Sequence, residues 1–220
     1  MRGARHHLPA AAALAALAAL ALAVATAQAY APPRGTPDLS KMTLQPGDLA
    51  HGAQVLVSQY FPPGSGLQLQ AQYNRDFGSA ATSAGVRFTQ IQTSITLAKT
   101  PAVAKIVFAQ LPSIYGTQSG RAILATEVAP ITGKGAGTTP KDARFGKPRA
   151  IGIGQQSLFE PATFVVNGAP IAADFAWLRI DGVIANLAFV AAGPKLSDAV
   201  AIALTRTVAA HISAVLAAAR

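Results

Sequence analysis

A chain of 220 residues with no cysteine excludes disulfides, thiolate metal sites and lipid attachment through an amino-terminal cysteine. Its 18 Lys and Arg against nine Asp and Glu give a formal charge of +9, which favours anionic partners such as phospholipid headgroups or acidic wall polymers. Plain solubility accounts for a charge of that size equally well.

The amino terminus has the three-part layout of a secretory signal. Arg2 and Arg5 stand beside His6 and His7 with no acid. An Ala/Leu/Val run broken only by Pro9 extends from Leu8 through Ala25, and Thr26-Ala27-Gln28-Ala29 supplies small residues for cleavage. Residues 1–29 are therefore expected to be a signal peptide cut near Ala29, the product being secreted or held in the extracytoplasmic envelope. The alternative is an uncleaved anchor, since a spanning helix needs roughly 20 residues. Against it stand the weak hydrophobicity of Ala and the lack of a basic residue between the run and Arg34. Nucleic acid is not expected as a partner outside the cytoplasm. The remaining chain is of one-domain size and can bury about 70% of its unfolded surface without disulfides.

Tyr30 to about Ala50 carries Pro32, Pro33 and Pro37 and reads as an extended tether, residues 30–43 being a flexible lead and 44–220 the domain. Gln54 to Tyr60 reads as a first strand, followed by a turn at Pro62-Pro63-Gly64-Ser65-Gly66. Leu67 to Phe77 alternates: Leu67, Leu69, Ala71, Tyr73 and Phe77 fall on one face with Arg75 the exception, and Gln68, Gln70, Gln72, Asn74 and Asp76 on the other. Period two with one wet face predicts an antiparallel sheet covered on one side. Val86 to Lys99 reads as one strand whose alternation slips near Gln90, the mark of a bulge.

Thr100-Pro101 supplies a hydroxyl cap and a proline where a helix tolerates it. Val103, Ile106, Val107 and Leu111 make the helical stripe, with Pro112 as its stop. Arg121 to Val128 reads as a further strand. Residues 132–149 are rich in Gly, Pro and Thr, hold Lys134, Lys141, Arg144, Lys147 and Arg149 against Asp142 alone, and read as a basic flexible loop. Phe164–Val166, Ala172–Ile180 and Val183–Val190 are strand-like, the last two flanking an Asp181-Gly182 hairpin turn. Gly193-Pro194 ends the sheet, and Leu196 and Ser197 introduce a final helix to about Ala218, with Ala201, Leu204, Val208, Ile212 and Val215 in its stripe. The order β-β-β-α, basic loop, β-β-β-α predicts an α+β fold with helices packed on one face of an antiparallel sheet.

Chemistry is sparsely encoded. Beyond the leader only His51 and His211 remain, and a zinc site needs three or four ligands, so no metal and no cofactor is expected. His211, beside the apolar stripe of the last helix, reads as a structural histidine. Ser83 lacks the leading glycine of a nucleophile elbow and Ser119 reads as a turn residue, leaving hydrolase chemistry without spacing to support it. Asp174 and Asp181 lie at opposite ends of a strand, about 7 × 3.3 Å apart, too far for the ~5–9.5 Å of paired-carboxylate glycosidase chemistry. Gly133-Lys134-Gly135 is followed by Thr139-Pro140 instead of a helix and does not make a phosphate loop. Two binding surfaces remain. Trp177, Phe175 and Phe164 form either plain core or, with Arg179, a pocket for an apolar or amphiphilic ligand. Lys134, Lys141, Arg144, Lys147 and Arg149 are the candidates for touching an anionic lipid or envelope polymer.

Leu44-Gln45-Pro46-Gly47-Asp48-Leu49, Gly152-Ile153-Gly154-Gln155-Gln156 and Arg179-Ile180-Asp181-Gly182-Val183-Ile184, set in this strand order, resemble small exported actinobacterial envelope proteins related to the LpqN-like, PsbP-like family. The resemblance spans roughly residues 44–218 and implies an α+β sandwich in an envelope protein that binds or senses something. It implies no catalytic residues. The lipoprotein members carry a lipid-modified cysteine that this chain lacks.

Overall fold

Strand pairing in the computed structural model, which describes residues 30–50, 53–64, 68–78, 81–128, 141–166 and 168–219, is antiparallel throughout. The expected signal peptide, His51, part of the first turn and Lys134 lie outside those residues. In chain order the strands are β1 (Val55–Phe61), β2 (Leu69–Phe77), the short β3 (Thr82–Ser83) and β4 (Val86–Arg87), β5 (Gln90–Ala98), β6 (Lys141–Phe145), β7 (Gln156–Val166), β8 (Ala169–Ile180) and β9 (Val183–Ala192). Seven of them form one open sheet in the order β1-β2-β5-β9-β8-β7-β6, and β3 pairs with β4 in a separate hairpin. The helices are α1 (Pro101–Tyr115), α2 (Gln118–Val128) and α3 (Asp198–Ala218).

The α+β class and the large antiparallel sheet follow the sequence, but the helices occupy both faces. Beneath α3 lies a core of Ala71, Phe77, Ile91, Ile95, Phe159, Leu178, Leu187 and Phe189, closed by Leu204, Val208 and Ile212 of the helix. On the opposite face, Phe164, Phe175, Trp177, Ile184 and Val190 pack against Val107, Phe108, Leu111 and Tyr115 of α1 and Leu124 of α2. β8 and β9 carry apolar side chains in both phases, as strands covered on both sides must.

The segment before β1 is a strap and not a tether. Leu39–Met42 and Pro46–Asp48 form two 3-10 turns, and Leu39, Met42 and Leu44 are fully buried in the α3-side core. Arg75, the odd residue in the apolar phase of β2, donates to the carbonyl of Leu44 (3.1 Å) and to Gln45 Oε1 (2.6 Å). The Leu39 amide donates to the hydroxyl of Tyr60 at 3.1 Å.

Three local expectations change. The slip near Gln90 is a break between β4 and β5, not a bulge: residues 82–87 turn out of the main sheet as a hairpin whose turn, Ala84-Gly85, has positive φ at both positions (46° and 78°). Pro112 lies inside α1, which continues to Tyr115 because Leu111, Ile114 and Tyr115 are buried under it and Tyr115 stacks on Trp177 at 5.0 Å. Arg121–Val128 belongs to helix α2, whose Thr117 hydroxyl accepts from the Gly120 amide at 3.0 Å. A Cβ at Gly120 would stand 1.8 Å from the carbonyl oxygen of Ile114, so only glycine lets α2 start this close to the end of α1. Two local signals hold: Thr100 accepts from the Val103 amide at the start of α1, and Asp181 (φ 50°) opens the β8–β9 turn.

Candidate functional site

Rows of residues running across the sheet on the α1 side are polar where they cross β2 and β5. One row reads Gln59, Asn74, Ser94, Asn186, Trp177, Leu158 from β1 to β7. The next reads Val57, Asp76, Gln92, Ala188, Phe175, Glu160. On the other side, Phe61, Gln72, Thr96, Ile184, Arg179 and Gln156 follow one another. The change of chemistry falls at β9, where the cover of α1 begins: Ile184, Ala188 and Val190 pack with the helix, while Gln72, Asn74, Asp76, Gln92, Ser94 and Thr96 lie beyond it.

The result is a strip of amides, hydroxyls and one carboxyl on a sheet floor, bordered by α1. Most of its side chains are half-buried, and Gln72 is buried with its amide donating to Asn74 Oδ1 at 3.3 Å. Ser94 Oγ and Trp177 Nε1, on either side of Asn186 in one row, are buried and make no hydrogen bond among the described residues. Burial pushes the carboxyl of Asp76 up to about 6, so it accepts as a carboxylate above that pH and can also donate, as the neutral acid, below it. Such a surface offers hydrogen bonds of both polarities and little net charge. Its chemistry suits a ligand rich in hydroxyls and amides.

Of the two readings of the aromatic residues, plain core or pocket, their packing matches core. Phe164, Phe175 and Trp177 are each at most 1% exposed and are packed in the core under α1, with Phe175 and Trp177 stacked at 6.1 Å. Arg179 is not among them. It sits at the hairpin end, where Nε donates to Gln156 Oε1 (2.7 Å) and Nη1 to Gln155 Oε1 (2.7 Å) and the Asp181 carbonyl (3.2 Å). At the far end of the Phe175 row, fully buried Glu160 has Arg121 of α2 3.5 Å away, and that guanidinium lies over the Phe145 ring. Burial raises the Glu160 carboxyl and the Arg121 charge pulls it back down. This pair clamps α2 to β7, with the carboxylate buried and the guanidinium partly exposed.

The basic residues are dispersed. Lys141 and Arg144 belong to edge strand β6, which continues through Lys147, and Arg144 and Lys147 are exposed. Arg149 is held by Asp198 at 2.8 Å and lies over Phe159. Residues 141–149 are thus an edge strand and its continuation, not a loop.

His211 contacts the Thr43 carbonyl through Nδ1 at 2.9 Å, with Asp48 Oδ1 3.7 Å from Nε2. It clasps the strap to α3. Among the described residues no group of three His, Asp or Glu side chains converges as metal ligands would.

No family model matches the chain, and no curated protein matches it. Among solved structures, the extracellular domain of PknH from Mycobacterium tuberculosis is similar over 84% of this chain and 98% of that one, at 9% identity and a TM-score of 0.48.

Of the strip, the sequence displays β2's polar phase openly. The matching phase of β5, Gln92-Ser94-Thr96, is equally visible as alternation with Ile91, Thr93 and Ile95. Missing is the knowledge that β5 lies beside β2 and α1 beyond it.

Proposed function

We propose that this protein is exported, loses residues 1–29, and serves as a non-enzymatic binding domain of the cell envelope whose ligand lies on the polar strip. The observation that carries this reading is the half-covered sheet. Amide and hydroxyl side chains on β2, β5 and β9 line a floor beside α1, and the buried Ser94 hydroxyl among them has no hydrogen-bond partner among the described residues. A hydroxyl- and amide-bearing envelope polymer supplies matching donors and acceptors. An apolar ligand seated among Phe164, Phe175 and Trp177 would first have to lift α1, so the strip takes the place of the aromatic pocket in this proposal.

The test is retention of the exported protein on insoluble peptidoglycan, compared with the Asn74→Ala/Gln92→Ala variant. Loss of two to three hydrogen bonds at ~1 kcal/mol each predicts roughly a tenfold to hundredfold weaker retention. Equal retention of both proteins would remove the strip from the proposal. A second reading rests on exposed Arg144 and Lys147 at the β6 edge: docking on anionic lipid. It predicts attachment to phosphatidylglycerol vesicles that is lost as salt rises.

A further inference from the structure

One carboxyl stands among the amides and hydroxyls of the strip. Asp76 of β2 lies between Val57 of β1 and Gln92 of β5, with Asn74 and Ser94 in the next row. It is half-buried and makes no hydrogen bond or ion pair among the described residues. β1, β5 and β9 carry no charged residue, and Lys105, the one charge on α1, is exposed. Tyr60, Tyr73 and Arg75 belong to the opposite face, and Glu160 with Arg121 closes the far end of the row, four strands away. Burial alone raises the Asp76 carboxyl, to about 6, with no charged neighbour adding to the effect or opposing it. At neutral pH a half-buried carboxylate therefore faces the strip without a counter-charge.

Resting on the reading of the strip as the binding surface, we propose that Asp76 selects a ligand bearing a primary ammonium group, an envelope polymer with free amines beside its amides and hydroxyls. A neutral ligand laid over the strip strips water from the carboxylate and leaves the charge uncompensated, which costs several kcal/mol. An ammonium replaces that water with an opposite charge and three donors. Asp76 takes one of them. The side-chain oxygens of Gln92, about 5 Å away across the strand pair, and Asn74, about 7 Å along the strand, serve the amides and hydroxyls next to it. Overall charge works the other way. A chain of formal charge +9 attracts anions in general, so a preference for amines has to come from this one carboxylate.

The test is retention of the exported protein on insoluble peptidoglycan before and after acetylation of its free amines. At about pH 8 the untreated polymer is expected to hold the wild type roughly tenfold to hundredfold more tightly, the worth of a charge-assisted hydrogen bond. That advantage disappears at about pH 5, where Asp76 is protonated. Asp76→Asn, of the same shape without the charge, binds both polymers alike at either pH. Asp38→Asn, on the exposed strap, behaves as the wild type. General attraction of a basic chain predicts the reverse order, because acetylation leaves the polymer more anionic. A wild type that prefers the acetylated polymer or does not distinguish the two overturns the proposal, as does an Asp76→Asn protein that still prefers free amines. If Asn74→Ala/Gln92→Ala weakens retention in those cases, the strip stands and only its choice of ligand fails. If that double variant binds like the wild type, the strip itself falls.

Discussion

On the α3 side of the sheet, the rows stay apolar from β2 to β8 except at Arg75, Thr93 and Asp174, all of them buried, and β7 adds half-buried Ser157 and Thr163. On the α1 side the same strands carry apolar residues only as far as α1 and α2 reach, and amides and hydroxyls beyond. The difference lies in the cover. α3 is 21 residues long and is joined by the strap, so Leu39, Met42 and Leu44 close the part of the face near β2. α1 spans 15 residues and lies with α2 over the β9–β7 half. A face with full cover can be filled with hydrocarbon; a face with half cover must finish in groups that water or a ligand can satisfy.

The sharpest way to break this comparison is at the covered end of one row. Phe175→Ala should cost about 3–5 kcal/mol of unfolding free energy in urea titration, because its row is enclosed there. A loss below 1 kcal/mol would mean that α1 is a loose lid. Next is the clamp: Arg121→Met leaves Glu160 buried and unpaired and should cost about 3 kcal/mol at neutral pH. That cost should shrink in acid as Glu160 becomes protonated.

Third is the pH dependence of the covered face. Burial, with a contribution from Asp198 and an opposing one from Arg149, pushes Asp174 up to about 7. A carboxyl raised above its unfolded value of about 3.9 binds its proton more tightly in the folded state. Its stabilising effect is therefore complete below about pH 4 and is lost as pH rises toward 7. Asp76 acts in the same direction up to about 6. Asp174→Asn should be more stable than the wild type at pH 8, by about 1–3 kcal/mol in chemical denaturation, and the gain should vanish near pH 4. A wild type whose stability rises steadily from pH 4 to 8 would contradict this sign. Smallest is the strip itself: Asn74→Ala should change stability by no more than about 0.5 kcal/mol, as for surface positions without a packing role. A drop of 2 kcal/mol or more would make the strip structural.

How much of this was legible in the sequence differs element by element. The alternation of β2, the cap of α1, the Asp181-Gly182 hairpin and the stripe of α3 are local signals, and the structure keeps them. Arg121–Val128 misled because Ile123-Leu124-Ala125 looks like a strand core, whereas tertiary contact of Leu124 with the sheet decides for helix. Pro112 misled because packing of the last turn outweighs the ~3 kcal/mol that a helical proline costs. The second helix layer was signalled by the unbroken apolar runs of β8 and β9, a pattern that a one-sided sheet does not need. Arg75 looked like an error in the phase of β2, since its partners, Leu44 and Gln45, lie 30 and more residues earlier. The strip was half visible in β2 and became a surface only through strand order, which no local pattern encodes.

The strap has a mechanical consequence. Any pull applied through the chain ahead of Leu39 loads Leu39, Met42 and Leu44 and the Arg75 hydrogen bonds before it reaches β1. Those contacts lie on the α3 side, across the sheet from α1. Such tension would peel open the dry face first, while the floor and wall of the polar strip stayed in register.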